Sequence, residues 1–186
     1  MAKSTMDQDI LRVLHSEEEI AARVQALGDE LFDEFKDRNP LFVGVLKGCF
    51  LFMSDIIRAC QIKSEIEFIA VSSYGDGFSS SGNVQITRDL GHDITGRDLV
   101  VIEDILDSGN TLYFLTQYFK AKGAQSVTIV TLFDKPERRE KPIKADYIGF
   151  QVPNEFIVGY GLDYRQQYRN LPYVGVLKPE VYSEAD

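Results

Sequence analysis

Apolar residues recur along this chain with two different periods, and the switches between them predict an α/β protein. From Ser16 onward, Ile20, Val24, Leu27, Leu31 and Phe35 follow helical spacing. Ser16 with Glu19 is a capping-box signature, so an amphipathic helix is predicted over residues 16–37. Short apolar runs at residues 41–46, 66–71, 99–104 and 127–133 read as buried strands. Residues 50–59 and 111–122 read as helices between them, the second closed by Gly123 as a C-cap. Further short strands are expected at residues 84–87, 147–151, 156–158 and 173–177. Residues 72–83 are polar with no apolar period, and residues 134–142 form a charged, Pro-punctuated loop. Buried strands alternating with helices imply a mostly parallel central sheet flanked by helices.

Composition narrows the class. With 186 residues, 44% apolar and 26% charged, the chain suits one domain with a real core, spanning residues 1–186 without a repeat or a linker. The net charge of −9 argues against a broad surface for nucleic acid or anionic membrane. A small anionic ligand remains compatible, provided backbone N–H groups, a few basic residues or a metal ion neutralise it locally. Cys49 and Cys60 could form one disulfide or stay as two buried thiols in a reducing compartment, and the apolar setting favours thiols. Their spacing, with no His nearby, does not suggest zinc. The start, MAKSTMDQD, lacks the apolar core of a signal peptide. The longest apolar stretch, 41–53, is too short to span a bilayer and contains Lys47. A cytoplasmic protein is expected.

The candidate chemistry gathers at predicted strand ends: Lys47-Gly48, Glu103-Asp104 and Asp134-Lys135. In parallel sheets ligands bind beyond the carboxyl ends of the strands, so one shared site is expected. The run VVIEDILDSGNTL, residues 100–112, combines an acidic pair, a small-residue loop and a helix start. Gly109 lets the backbone approach a ligand, Ser108 and Thr111 supply hydroxyls, and the helix directs free N–H groups at the loop. A phosphate monoester suits that pocket. Glu103 and Asp104 could accept from sugar hydroxyls or hold a hydrated Mg²⁺. As neighbours on a strand they are expected to face opposite ways. The structural alternative is local capping, since Asp107, Ser108 and Asn110 are all good N-cap residues.

These residues, with LKG at 46–48, SSYG at 72–75, DKPERR at 134–139, PNEFIVGYGLDY at 153–164 and Arg169, resemble the hypoxanthine (6-oxopurine) phosphoribosyltransferases. That is a branch of the type I phosphoribosyltransferase family. The motifs fall in the family's order across residues 10–180. The resemblance implies the family fold, with a small hood formed by the N- and C-terminal segments. It also implies purine salvage: transfer of the phosphoribosyl group from 5-phosphoribosyl-1-pyrophosphate to N9 of hypoxanthine, and of guanine, giving IMP or GMP and pyrophosphate. Mg²⁺ is the implied cofactor, and a homodimer or homotetramer the implied assembly.

By the same resemblance, Glu103 and Asp104 sit at the ribose hydroxyls and Asp107, Ser108, Gly109, Asn110 and Thr111 cradle the 5′-phosphate. Asp107 is the catalytic base beside purine N7. Lys47, Gly48 and Arg169 meet pyrophosphate, and Glu103, Asp104 and Asp163 serve the metal. Lys135 contacts the purine O6, where a pure donor fits a 6-oxo acceptor and not the amino group of adenine. Phe156 stacks on the base and the backbone of Ile157 reads its edge. Ser73 and Tyr74 begin a loop that closes over the reacting centre. Simpler fates stand beside each role: a surface lysine for Lys135, core packing for Phe156, an ion pair for Asp163 and Arg169, a hairpin tip for residues 72–83.

Asn110 stands where some eukaryotic relatives carry lysine, which favours the bacterial branch, and Asp76 also departs from relatives. Two other classes were weighed against this one. A nucleic-acid-binding regulator sits poorly with the charge of −9, and a dinucleotide oxidoreductase lacks any G-x-G-x-x-G.

Overall fold

The computed structural model describes residues 5–73 and 84–183. Six strands form the main sheet: β2 (Leu41–Leu46), β3 (Glu65–Ser73), β4 (Val84–Arg88), β5 (Asp98–Leu106), β6 (Ser126–Asp134) and β7 (Tyr147–Gln151). Their order is β4-β3-β2-β5-β6-β7, parallel except for the antiparallel β3–β4 pair at one edge. The expected α/β architecture is present.

Strand alternation explains how helices come to lie on both faces. Val100 and Ile102 of β5 join the core built with α1 (Glu17–Phe35) and α2 (Phe50–Cys60). Leu99 and Val101 face the other way, toward Leu112, Leu115 and Phe119 of α3 (Asn110–Ala121). α1 begins with the expected capping box: Ser16 Oγ accepts from Glu19 N, and Glu19 Oε2 accepts from Ser16 N. α3 ends at Gly123, whose φ of +83° lets Ala124 N reach Phe119 O at 3.1 Å and Gly123 N reach Lys120 O at 3.0 Å.

One expected strand limit moves. β5 runs past the acids to Leu106, because Ile105 and Leu106 keep their parallel register with Phe133 and Asp134. A strand absent from the sequence reading, β1 (Ile10–His15), pairs with β9 (Val174–Leu177). With β8 (Ile157–Val158) they form a separate antiparallel sheet, ordered β1-β9-β8, which brings segments near both ends of the chain together. A short helix, α4 (Pro179–Ser183), also unpredicted, follows it. No helix among the described residues is long and apolar enough to cross a membrane.

β2 lies between β3 and β5, so the chain's direction of winding reverses there. The β2–β5 ladder stops at Gly44–Ile102, whereas β2–β3 pairing continues to Leu46–Ala70. A crevice therefore opens between the end of β2 and residues 103–106, the position at which parallel sheets hold ligands.

Candidate active site

Val45–Gly48, Glu103–Leu112, Asp163 and Arg169 line that crevice. Its phosphate-sized end is the start of α3. The N-cap is Gly109, with φ +85°, and no side chain caps the helix and no acid lies in its first turn. α1 makes the contrast plain, since a capping box and Glu17, Glu18 and Glu19 close its N-terminus. α3 instead leaves its positive end facing the cleft, which suits an anion. Asp107 is thus not the helix cap.

The loop is held from behind by the charged segment that follows β6. Arg139 donates to the carbonyls of Leu106 (3.0 Å) and Asp107, and pairs with Asp134. Glu140 N and Lys141 N donate to Ser108 O at 2.9 and 3.2 Å. Asn110 Nδ2 bridges Ser108 Oγ (3.1 Å) and Glu140 Oε2 (3.0 Å). A side chain at Gly109 would meet Ile143 Cγ2 at 2.8 Å.

Glu103 and Asp104 are neighbours on β5 and reach one crevice. Both line the crevice, each only 8% exposed. Burial raises both above their ordinary values, Glu103 well above, with the Asp104 charge adding to the push. Asp104 Oδ1 accepts from Ile105 N at 2.8 Å. Beside them the Cys49 thiol is pushed up, by burial first and then by these two acids. Both cysteines are unpaired and buried.

At the other end of the crevice the Leu46-Lys47 peptide is cis. Lys47 Nζ donates to Gln166 Oε1 at 3.2 Å. Arg169 pairs with Asp163 Oδ1 at 2.7 Å and donates to Gly161 O at 2.7 Å. Asp163 is thereby committed to Arg169, and the expected set Glu103, Asp104 and Asp163 does not gather. Among the described residues no three His, Cys, Asp or Glu side chains form a group able to hold a metal.

A second cleft shares Asp104, Ile105, Asp107 and Asp163 with the first and adds Lys135, Arg138, Glu155, Phe156, Ile157 and Tyr182. Lys135 is 5% exposed, and its ammonium donates to Glu155 O at 3.0 Å. Burial lowers its pKa from 10.5, while the Asp107 charge raises it. Asp107 Oδ1 is buried with no hydrogen-bond partner, with Arg138 Nε 3.4 Å away. Phe156 stacks on Tyr182 with centroids 5.1 Å apart and meets Tyr164 edge-on. Lys135 is therefore no surface lysine, and Phe156 packs against the small cluster of Val158, Tyr164, Tyr168, Leu171 and Leu177. Ser73 ends β3, and Tyr74 with the remainder of the expected closing loop lies outside the described residues.

The family profile described as a phosphoribosyl transferase domain matches residues 13–165. The chain belongs to the phosphoribosyl transferase family. Curated relatives include a hypoxanthine-guanine phosphoribosyltransferase of Bacillus subtilis, 54% identical across 95% of this chain and 98% of that protein. The bifunctional protein TilS/HprT of Listeria monocytogenes is also 54% identical over 97% of this chain, which spans only 28% of that longer protein. Among solved structures, a hypoxanthine phosphoribosyltransferase from Staphylococcus aureus superposes with a TM-score of 0.94 at 47% identity, covering 98% of this chain and 99% of that one.

Within this phosphoribosyltransferase the acid pair passes a test of fit for a cation. Glu103 and Asp104 are adjacent buried carboxyls lining the crevice, an oxygen donor set that a cation would balance. Mg²⁺ typically takes one or two carboxylates and fills its remaining positions with water and ligand phosphate oxygens. Sequence reading missed Arg139, Glu140, Gln166 and Tyr182. Their signal was slight, because each depends on a contact made by folding.

Proposed function

We propose that this chain is a Mg²⁺-dependent hypoxanthine phosphoribosyltransferase of purine salvage, acting also on guanine. The observation that carries the reading is the pair of joined clefts with Asp107 on their common wall. One cleft has an uncapped helix N-terminus for a phosphate, and the other has a buried lysine beside an aromatic ring for a flat 6-oxo base.

On this reading, residues 108–111 bind the 5′-phosphate of 5-phosphoribosyl-1-pyrophosphate, and Glu103 and Asp104 accept from the ribose hydroxyls. Lys47, the Gly48 backbone and Arg169 bind the pyrophosphate, for which the guanidinium fork is well shaped. Phe156 orients the base, Ile157 reads its edge and Lys135 donates to O6. N9 attacks the anomeric carbon as its bond to pyrophosphate oxygen breaks. Asp107 takes the purine proton at N7, a role open to a carboxylate whose Oδ1 accepts no hydrogen bond and meets only the Arg138 guanidinium at 3.4 Å among the described residues. Mg²⁺, held by Glu103 and Asp104 with Asp163 nearby, would neutralise developing charge on the leaving pyrophosphate. The small sheet and α4 act with the main sheet as one unit, a hood over the base.

Pyrophosphate release in the presence of Mg²⁺, assayed with hypoxanthine, guanine, xanthine and adenine in turn, tests the reading. Turnover with hypoxanthine and none with adenine is expected; silence with every 6-oxopurine would remove it. Asp107→Asn should lower kcat about 100-fold or more while donor binding persists. We place the protein in the cytoplasm as a homodimer or homotetramer, in keeping with its two unpaired thiols. Light scattering of the purified chain checks the assembly.

A further inference from the structure

Between Lys47 and Arg169 lies a side chain to which neither the sequence motifs nor the proposed chemistry gives a role. Gln166 Oε1 accepts from Lys47 Nζ at 3.2 Å and from Arg169 Nη2 at 3.3 Å. A single neutral oxygen thus sits between two cations that would otherwise repel each other. The turn carrying it is unusual. Arg165, Gln166 and Tyr168 all have positive φ, at 50°, 66° and 72°, in a region that costs a non-glycine residue about 1 kcal/mol or more. Gln166 N donates to Asp163 Oδ2 at 2.8 Å, and Asp163 in turn holds Arg169. The same loop is pressed onto the Lys47-Gly48 segment, since a Cβ at Gly161 would lie 2.1 Å from Gly48 O. Several contacts therefore hold Gln166 in one place.

We infer that Gln166 is a positioning residue for the pyrophosphate end of the reaction. Its carboxamide oxygen keeps the Lys47 and Arg169 donors convergent on one point, and a pyrophosphate oxygen takes that point when the ligand binds. A neutral amide suits this work because it holds two cations through weak hydrogen bonds and yields to an anion. A carboxylate would hold them through charge-assisted bonds and compete with the ligand. The inference rests on the functional reading above, and its test separates the two.

Calorimetric titration with inorganic pyrophosphate and Mg²⁺ should show binding to the wild-type chain. Gln166→Ala should weaken that binding about 3- to 10-fold, the value of one neutral hydrogen bond. The KM for purine and the melting temperature should stay unchanged. Gln166→Glu should weaken pyrophosphate binding more than Gln166→Ala does, although it keeps the length and both contacts. Unaltered binding in Gln166→Ala, or wild-type affinity in Gln166→Glu, overturns the inference and leaves the functional reading intact. An equal loss of purine affinity and thermal stability also overturns it, by making Gln166 a structural turn residue. A wild-type chain that ignores pyrophosphate removes the functional reading and the inference together.

Discussion

A methyl group at position 48 would lie 1.6 Å from Oδ2 of Asp104, so the acid pair and the Lys47 loop can be neighbours only because residue 48 is glycine. Gly48→Ala must displace either Asp104 or the loop. Its kcat/KM for the donor should fall about 100-fold, as expected for an ångström-scale misplacement. Steady-state kinetics checks this, and an unimpaired variant would mean that the acids do not meet the donor. Lys135 gives a pH prediction. Burial lowers its pKa from 10.5, so the ammonium is present below the lowered value and is lost as pH climbs through it. The KM for hypoxanthine should therefore rise at alkaline pH, earlier than an ordinary lysine would cause. Lys135→Ala should weaken 6-oxopurine binding at neutral pH and flatten that limb. A purine KM in the wild type that stays level up to pH 10.5 would count against the O6 contact.

The phosphate cradle shows which elements hold the site. Its front, the acids, Gly109 and the start of α3, was legible in the sequence because strand, small-residue loop and helix follow one another locally. Its back was not. Arg139 sits in DKPERREKP, which reads as a charged, Pro-punctuated loop, and only the fold brings it against the carbonyls of Leu106 and Asp107. The acids likewise read as the end of a strand because charge in a buried run looks like a boundary. The ladder to β6 carries β5 two residues further and brings both carboxyls into one crevice. Arg139→Ala leaves Asp134 buried without its cation and should cost about 3 kcal/mol in urea denaturation. It should also raise the KM for the donor more than that for the base. Arg139→Lys restores the charge without the fork and should recover only part of the loss.

Over the whole molecule, two sheets meet around the clefts. The large one supplies residues from the ends of β2, β5 and β6, and the small one brings Phe156 and Ile157 with Tyr182 behind them. The α/β class and the mostly parallel sheet were readable from buried runs alone, while the order of its strands came only from the fold. β1 and α4 were not, because their partners are distant: Ile10 pairs with Leu177, and Tyr182 stacks on Phe156. Pro179 also looks like a stop signal, while in the fold it opens a helix, where its missing N–H costs nothing. Deleting residues 179–186 should raise the KM for purine several-fold through loss of the Tyr182 stack and leave pyrophosphate binding unchanged. The magnitude is that of one aromatic pair, about 1 kcal/mol. Equal losses at both clefts would mean that α4 supports the whole structure.

The shared wall between the two clefts has a consequence for inhibitor chemistry. Asp104, Ile105, Asp107 and Asp163 border both spaces, so occupants of the two are separated only by the span of that shared wall. A flat 6-oxo heterocycle tethered to a phosphonate by a chain of that length could fill both at once. Once one end had docked, the other would be presented at an effective concentration set by the tether, so affinity would exceed that of either fragment without any new contact. A tether too short to pass Asp107 would lose the gain entirely.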